Sequence, residues 1–405
     1  MILDNNGIIQ KSKDARNKYG EAKDNEQAQM SGVSDWIDNQ VGGNGGTSKP
    51  IKVGVNEKAT SNGTINGEAG NSNNPTIPEG YTPINTTTSN WGDGSTAPSQ
   101  DSVDHGLVIK DDSGNEWVWV PVPDVTVMCD TSNQTEYTLF GTSGETSVKT
   151  KLYSKSEIIS GKTRTTPGTT TDYREPDLVV ENYDGNEDND ANEEYYKTVL
   201  GFNSKEEMAE AFVADYKKMI ESIKTYGGFY IGRYELSEAG VQKDKATLTN
   251  TNWYNLYKKC TELNASDKVK TQMIWGCQWD VTLNWLISSG AKTSDEVNKD
   301  SSSWGNYKNS TGDAKVVVTE NGTATNKYGT KQNTGYSEYW KANNIYDLAG
   351  NCSEWTQEAI DTGDRAFRGG NYNNYGSNIP ASDRGGSSPD GSDFDIRFSS
   401  HFNNK

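Results

Sequence analysis

Residues 344–356 read Asn-Ile-Tyr-Asp-Leu-Ala-Gly-Asn-Cys-Ser-Glu-Trp-Thr, and this stretch constrains the fold more tightly than any other. Ile345 and Trp355 bring bulk to a chain otherwise poor in aliphatic core residues. Gly350 permits a turn and close backbone approach. Asp347 and Glu354 bracket that Gly-Asn turn. Two acids so placed can gather carboxylate and carbonyl oxygens around a hard cation; equally, they can cap loops without metal.

Working outward, Phe367-Arg368-Gly369-Gly370 follows, then a loop-rich stretch closing on Asp395-Ile396-Arg397-Phe398. Upstream, Gly228 to Glu235 reads as a strand. The helix before it is marked by Ser204 and Glu207 as a capping box, by Met208, Phe212, Tyr216, Met219, Ile220 and Ile223 on one face, and by Gly227-Gly228 at its end. Shorter helices are predicted near Trp253–Leu263 and Gln278–Ile287. Earlier still, Gly106–Ile109, a turn at Asp112–Asn115 and Glu116–Pro121 make a hairpin pattern.

The remainder is polar. Residues 124–200, with the acidic run Asp184–Glu194, read as a strand-poor insertion. Residues 41–101, rich in Gly, Ser, Asn, Thr and Pro, read as a flexible linker. Residues 1–40 begin as a polar helix with few apolar positions. The expected organisation is therefore an N-terminal helix over 1–40, the linker over 41–101, and one domain over 102–405 carrying the insertion.

Composition agrees with a single core bearing loose additions. Of 405 residues only 31% are hydrophobic and 41 are glycine, and the mean hydropathy is -0.88, so long stretches bury too little apolar surface to offset their ordering entropy. The net charge of -18, from 39 basic and 57 acidic residues, repels phosphate backbones and anionic lipid and argues against nucleic acid as a partner. Cys129, Cys260, Cys277 and Cys352 show no Cys-x-x-Cys spacing, and their pairing stays open. Two histidines, His105 and His401, cannot build a multi-histidine metal centre. No apolar run is long enough to span a bilayer.

The phrase at 344–356, with Phe367–Gly370, Asp395–Phe398, Gly228–Glu235 and Met273–Trp279 in order, resembles the formylglycine-generating enzymes and their sulfatase-modifying-factor relatives over about residues 105–400. The resemblance implies an α+β, loop-rich, C-type lectin-like fold of the sulfatase-modifying-factor type, with small antiparallel sheets and a few helices. It implies calcium at Asp347 and Glu354 with the backbone carbonyls of Gly350 and Cys352. It also implies no catalysis. Those enzymes carry a cysteine pair shortly after Arg-Gly-Gly, whereas here the stretch is Asn371 to Asn378 without cysteine, and the histidines of ergothioneine-pathway relatives are missing. An uncharacterised enzyme of the superfamily is the alternative.

Between Gly370 and Ile396 nearly every residue is Asn, Tyr, Ser, Asp, Gly or Arg, a composition that joins rigid amphipathic contact area to adaptable hydrogen bonding. It resembles the variable region of proteins diversified by retroelements. The candidate ligand-facing residues are Tyr372, Asn373, Asn374, Tyr375, Ser377, Asn378, Asp383, Ser387, Asp390, Asp393 and Asp395, with Arg384 and Arg397 bracing the fold. Residues 2–30 resemble the stem of type IV pilin-like bacterial surface proteins. That likeness places the chain at the cell surface or outside the cell, with membrane contact only through a segment ahead of Met1. The expected partner is a protein or glycan of unknown identity.

Overall fold

A computed structural model describes residues 50–84, 100–132, 138–151, 172–174, 191–249, 251–263, 269–315, 317–318, 324–325, 328–359, 364–387, 389, 395–396 and 398–402. The expected helix over 1–40 and residues 184–190 of the acidic run lie outside them. The architecture is mixed α+β, with small, mainly antiparallel sheets and few helices. The elements that position the site are, in chain order, β1 (Thr82–Ile84), β2 (Val108–Lys110), β3 (Glu116–Pro121), β4 (Thr138–Ser143), β5 (Thr146–Lys151), α1 (Lys205–Tyr226), β6 (Gly228–Gly232), α2 (Trp253–Glu262), β7 (Val269–Met273), α3 (Gly276–Ser288), β8 (Glu354–Ala359), β9 (Arg365–Arg368), β10 (Arg384–Ser387), β11 (Asp395–Ile396) and β12 (Phe398–Phe402).

One sheet runs β7-β12-β6-β3-β2-β1, antiparallel throughout. Strand β3 shows why it sits inside: Trp117, Val118, Trp119 and Val120 are each fully buried, so both sheet faces are covered. Because successive side chains alternate sides, Trp117 and Trp119 enter one core with Phe212 and Trp253, while Val118 and Val120 enter another with Ile220, Trp275 and Trp279. Helix α1 straddles both. Ser204 caps it by accepting the Glu207 N–H, and the left-handed Gly227 at φ 78° closes it. The Glu207 carboxylate takes the N–H of Asn203 in place of that of Ser204.

Two sequence expectations need correction. Within the stretch read as linker, residues 50–84 are packed. Short strands at Ile51–Lys52, Gly63–Thr64 and Thr76–Ile77 form their own sheet, and β1 pairs with β2. Val53, Ile65, Ile77 and Tyr81 are buried, the Trp119 indole donates to the Ser72 carbonyl, and the Tyr230 hydroxyl donates to that of Thr76. Scattered apolar residues at irregular spacing suffice because the neighbouring sheet supplies the large rings. Likewise the insertion is not strand-poor. Its β-branched Thr and Val residues form the β4–β5 hairpin, which Asp172–Arg174 joins to β8.

Candidate functional site

The second sheet runs β10-β9-β8, then Asp172–Arg174, β5, β4 and Cys129–Asp130, with β11 lying parallel beside β8. The β9–β10 connection, residues 369–383, covers the first part of the 371–395 stretch singled out by composition, which β10 interrupts and whose last residue lies in β11. Opposite Phe367 in the ladder sits Gly385, where a Cβ would fall 2.1 Å from the phenyl ring, so the absent side chain makes room for the aromatic one.

Both ends of this loop are tied to the same pair of acids. Arg368 donates to Asp280 Oδ1 at 2.8 Å and to the carbonyls of Ser382 and Asp383. Arg384 reaches Glu358 Oε2 at 3.0 Å, Asp280 Oδ2 and the Thr142 carbonyl of β4. The four side chains are essentially inaccessible to water. Two guanidiniums and two carboxylates balance in charge, the condition under which buried ions persist. Burial, and next the charge of Arg384, pull the Arg368 guanidinium below its ordinary range. Gly141 of β4 lies so close that a Cβ would strike Asp280, so the insertion completes the cluster. Arg384 thus braces the fold as expected. Asp280, Glu358 and Arg368 escaped sequence reasoning, although an aspartate among Trp279, Val281 and Leu283 was a signal of a buried partner.

From this base the loop is held by its own backbone and by residues 301–309. The Asn371 N–H donates to Asn374 Oδ1 at 2.8 Å, the Lys308 N–H to the Asn374 carbonyl at 2.9 Å, and the Gly376 N–H to Asn309 Oδ1 at 2.9 Å. Asn373, Tyr375, Ser377 and Asn378 are exposed, Tyr375 at 47%, and the exposed Lys308 ammonium lies 5.8 Å from the Tyr375 ring centroid. Other expected ligand residues are placed differently. Tyr372, Asn374, Asp383 and Ser387 are half-buried: Asn374 shapes the turn, Asp383 gives its carbonyl to Arg368 while burial raises its carboxyl, and Ser387 lies in β10. Asp395 is in β11 beside Glu354. Asp390, Asp393 and Arg397 lie outside the described residues.

The 344–356 phrase forms the loop's floor. Asn351, at φ 60°, accepts from Asn306 Nδ2 and the Gln332 N–H, and donates to Glu235 Oε2 and the Gln332 carbonyl. Glu235, fully buried, also receives the Cys352 N–H. Gly350, at φ 74°, would place a Cβ 2.2 Å from the Asn306 carbonyl. The N–H of Tyr372 then rests on the Asn351 carbonyl. All four cysteines are buried and none forms a disulfide; Cys352 Sγ faces Thr247 Oγ1 at 3.5 Å.

Asp347 and Glu354 are buried at 1% and 0% exposure, and Asp347 Oδ2 takes the Gly335 N–H at 2.8 Å. Two buried carboxylates are hard oxygen donors that suit calcium. Among the described residues no three His, Cys, Asp or Glu side chains gather as a metal cluster, so the other ligands would be neutral oxygens, main-chain carbonyls among them.

A cleft of about 660 Å³ lies elsewhere, against the exposed side of α3, and no residue of the 369–387 region lines it.

No sequence family matches this chain, and no curated protein does. Among solved structures, the Treponema denticola variable protein 1 is similar at a TM-score of 0.30 and 14% identity, over 43% of this chain and 84% of that one. The likeness is slight.

Proposed function

We propose that the chain is a non-catalytic binding protein with a C-type lectin-like domain of the sulfatase-modifying-factor type, displayed on a bacterial surface. Its recognition face is the β9–β10 loop, and that loop varies among copies through retroelement diversification. The observation that carries this reading is the division of labour along one segment. Arg368 and Arg384 sit in a buried charge cluster at its two ends, while Asn373, Tyr375, Ser377 and Asn378 project between them. Residues that bear no packing role tolerate replacement, which a diversified surface requires. The loop is also stiffened by main-chain bonds to residues 301–309, so little ordering entropy is lost on binding. The partner is a protein or a glycan.

A glycan and protein array probed with the chain identifies a ligand, and the quadruple variant Asn373→Ala/Tyr375→Ala/Ser377→Ala/Asn378→Ala is expected to lose that ligand while its melting curve is kept. Retained binding by the folded variant would overturn the reading. Sequencing the locus in sister strains tests diversification: substitutions should concentrate at the exposed positions and spare Arg368 and Arg384.

Calcium belongs to the same proposal. Asp347 and Glu354, with the carbonyls of Gly350 and Cys352, would hold the ion, which would cross-brace the floor of the loop. A ligand that binds only the folded state raises apparent stability, so EDTA should lower the melting temperature; an unchanged curve removes the ion.

A further inference from the structure

We propose that the cleft on α3 is a second binding site, separate from the loop, and that it takes a small uncharged amphipathic molecule: a primary amide or alcohol on an aliphatic body. Four segments distant in sequence build it, contributing Asn73, Asp104 with His105, the 121–127 stretch, and α3 with Ser289. Each is anchored. The turn before Asn73 is pinned by the Trp119 indole on the Ser72 carbonyl, the Val122 N–H donates to the Gly227 carbonyl, and the side-chain amides of Asn343 and Asn344 donate to Ser289 Oγ and to the His105 carbonyl. A concavity of a few hundred cubic ångströms with anchored walls and few polar groups is the ordinary form of a small-molecule site.

The helix wall is divided lengthwise. Val281 and Trp285, one turn apart, make an apolar stripe, and Asn284 and Ser288, also one turn apart, make a neutral polar stripe beside it. Val122 and Val127 extend the apolar part of the lining, and Val127 is 53% exposed, so an aliphatic body has surface to cover. The Asn284 amide, on the exposed side of the helix, carries both donors and an acceptor and can meet an amide or hydroxyl head in either sense. Ser288 Oγ donates to the Trp285 carbonyl and keeps its lone pairs to accept. A free charge is what the cleft lacks. Among its described lining residues the titratable groups are Asp104 and His105, and both are already engaged by other groups of the protein. An ammonium or carboxylate head would enter without a counter-charge, at a desolvation cost that a neutral head does not meet.

Calorimetric titration of the full chain with hexanamide, hexylamine and hexanoate compares one aliphatic body under three heads. The amide is expected to bind in the millimolar range, and each ion at least about tenfold more weakly, the cost of a charge left without a partner. Acetamide, which lacks the body, should not bind at the same concentrations. Asn284→Trp, at an exposed helix position, should fill the cleft and abolish hexanamide binding while the melting curve is preserved. Val127→Lys, at an exposed position of the wall, supplies the missing charge and should strengthen hexanoate binding by about tenfold over the unsubstituted chain. Equal binding of the three probes, tighter binding of either ion, acetamide binding as well as hexanamide, indifference to either substitution, or no hexanamide binding in the millimolar range overturns the proposal. None of these results bears on the loop, whose test uses other residues.

Discussion

The base and the tip of the β9–β10 loop lie within one short segment yet obey opposite rules. At the base, Arg368 and Arg384 bury full charges against Asp280 and Glu358, so each of the four is paired with two others. At the tip, Asn373, Tyr375, Ser377 and Asn378 face solvent, and the turn holding them is made by main-chain groups and by Asn371, Asn374 and Asn309. Shape rests on the residues turned inward, and those proposed to meet a partner carry no packing role.

The sharpest way to break this contrast is Arg384→Met. Removing one member of a buried ion cluster strands the others, at a cost of about 3–5 kcal/mol. Chemical denaturation should show that loss with little dependence on salt, and a cost under ~1 kcal/mol would mean that the base is no clamp. Next, Asn351→Gly keeps the left-handed backbone and deletes four hydrogen bonds beneath the loop. Leaving buried partners unsatisfied should cost about 1–3 kcal/mol, read from the same experiment.

A smaller effect separates buried from surface charge. Partial burial alone would raise the Glu338 carboxyl, but the Lys341 ammonium, the Tyr346 hydroxyl and Lys243 hold it down at about 2, against 4.5 ordinarily. The folded state therefore gains from this group above its ordinary value, and the gain drains away as pH falls toward about 2. Because Glu338 is 44% exposed, the gain is modest and screened by salt. Glu338→Gln should flatten part of the acid limb of a stability–pH curve, and do so less at high ionic strength; an identical limb would remove the pair from the account. Smallest of all, alanine at each of the four tip residues should move stability by no more than about 0.5 kcal/mol. A cooperative loss of several kcal/mol in the combined variant would show that the tip, too, is structural.

The hairpin at 108–121, the capped helix α1 and the glycines of the 344–356 phrase were legible because each has a local cause: alternation, a side-chain cap, a turn. The proposed recognition loop was legible by composition, but which of its residues face out was not. Asn373 and Asn374 are the same residue type, and only Asn374 points inward, to close the turn on Asn371. Residues 50–84 looked too polar to pack, since the rings that bury Ile77 and Tyr81 lie in β3 and β6. The cluster at Asp280 joins residues up to 242 positions apart, beyond the reach of any periodicity.

That separation bears on how the molecule matures. Contacts between remote residues pay their loop-closure cost before they repay it, so the clamp formed by Thr142, Asp280, Glu358, Arg368 and Arg384 is expected to close late in folding. A chain still missing the β4–β5 hairpin or helix α3 has the two ends of the loop unclamped. Under the proposed function, presentation is thus conditional on completion: a half-folded copy stays silent, whatever sequence its tip carries.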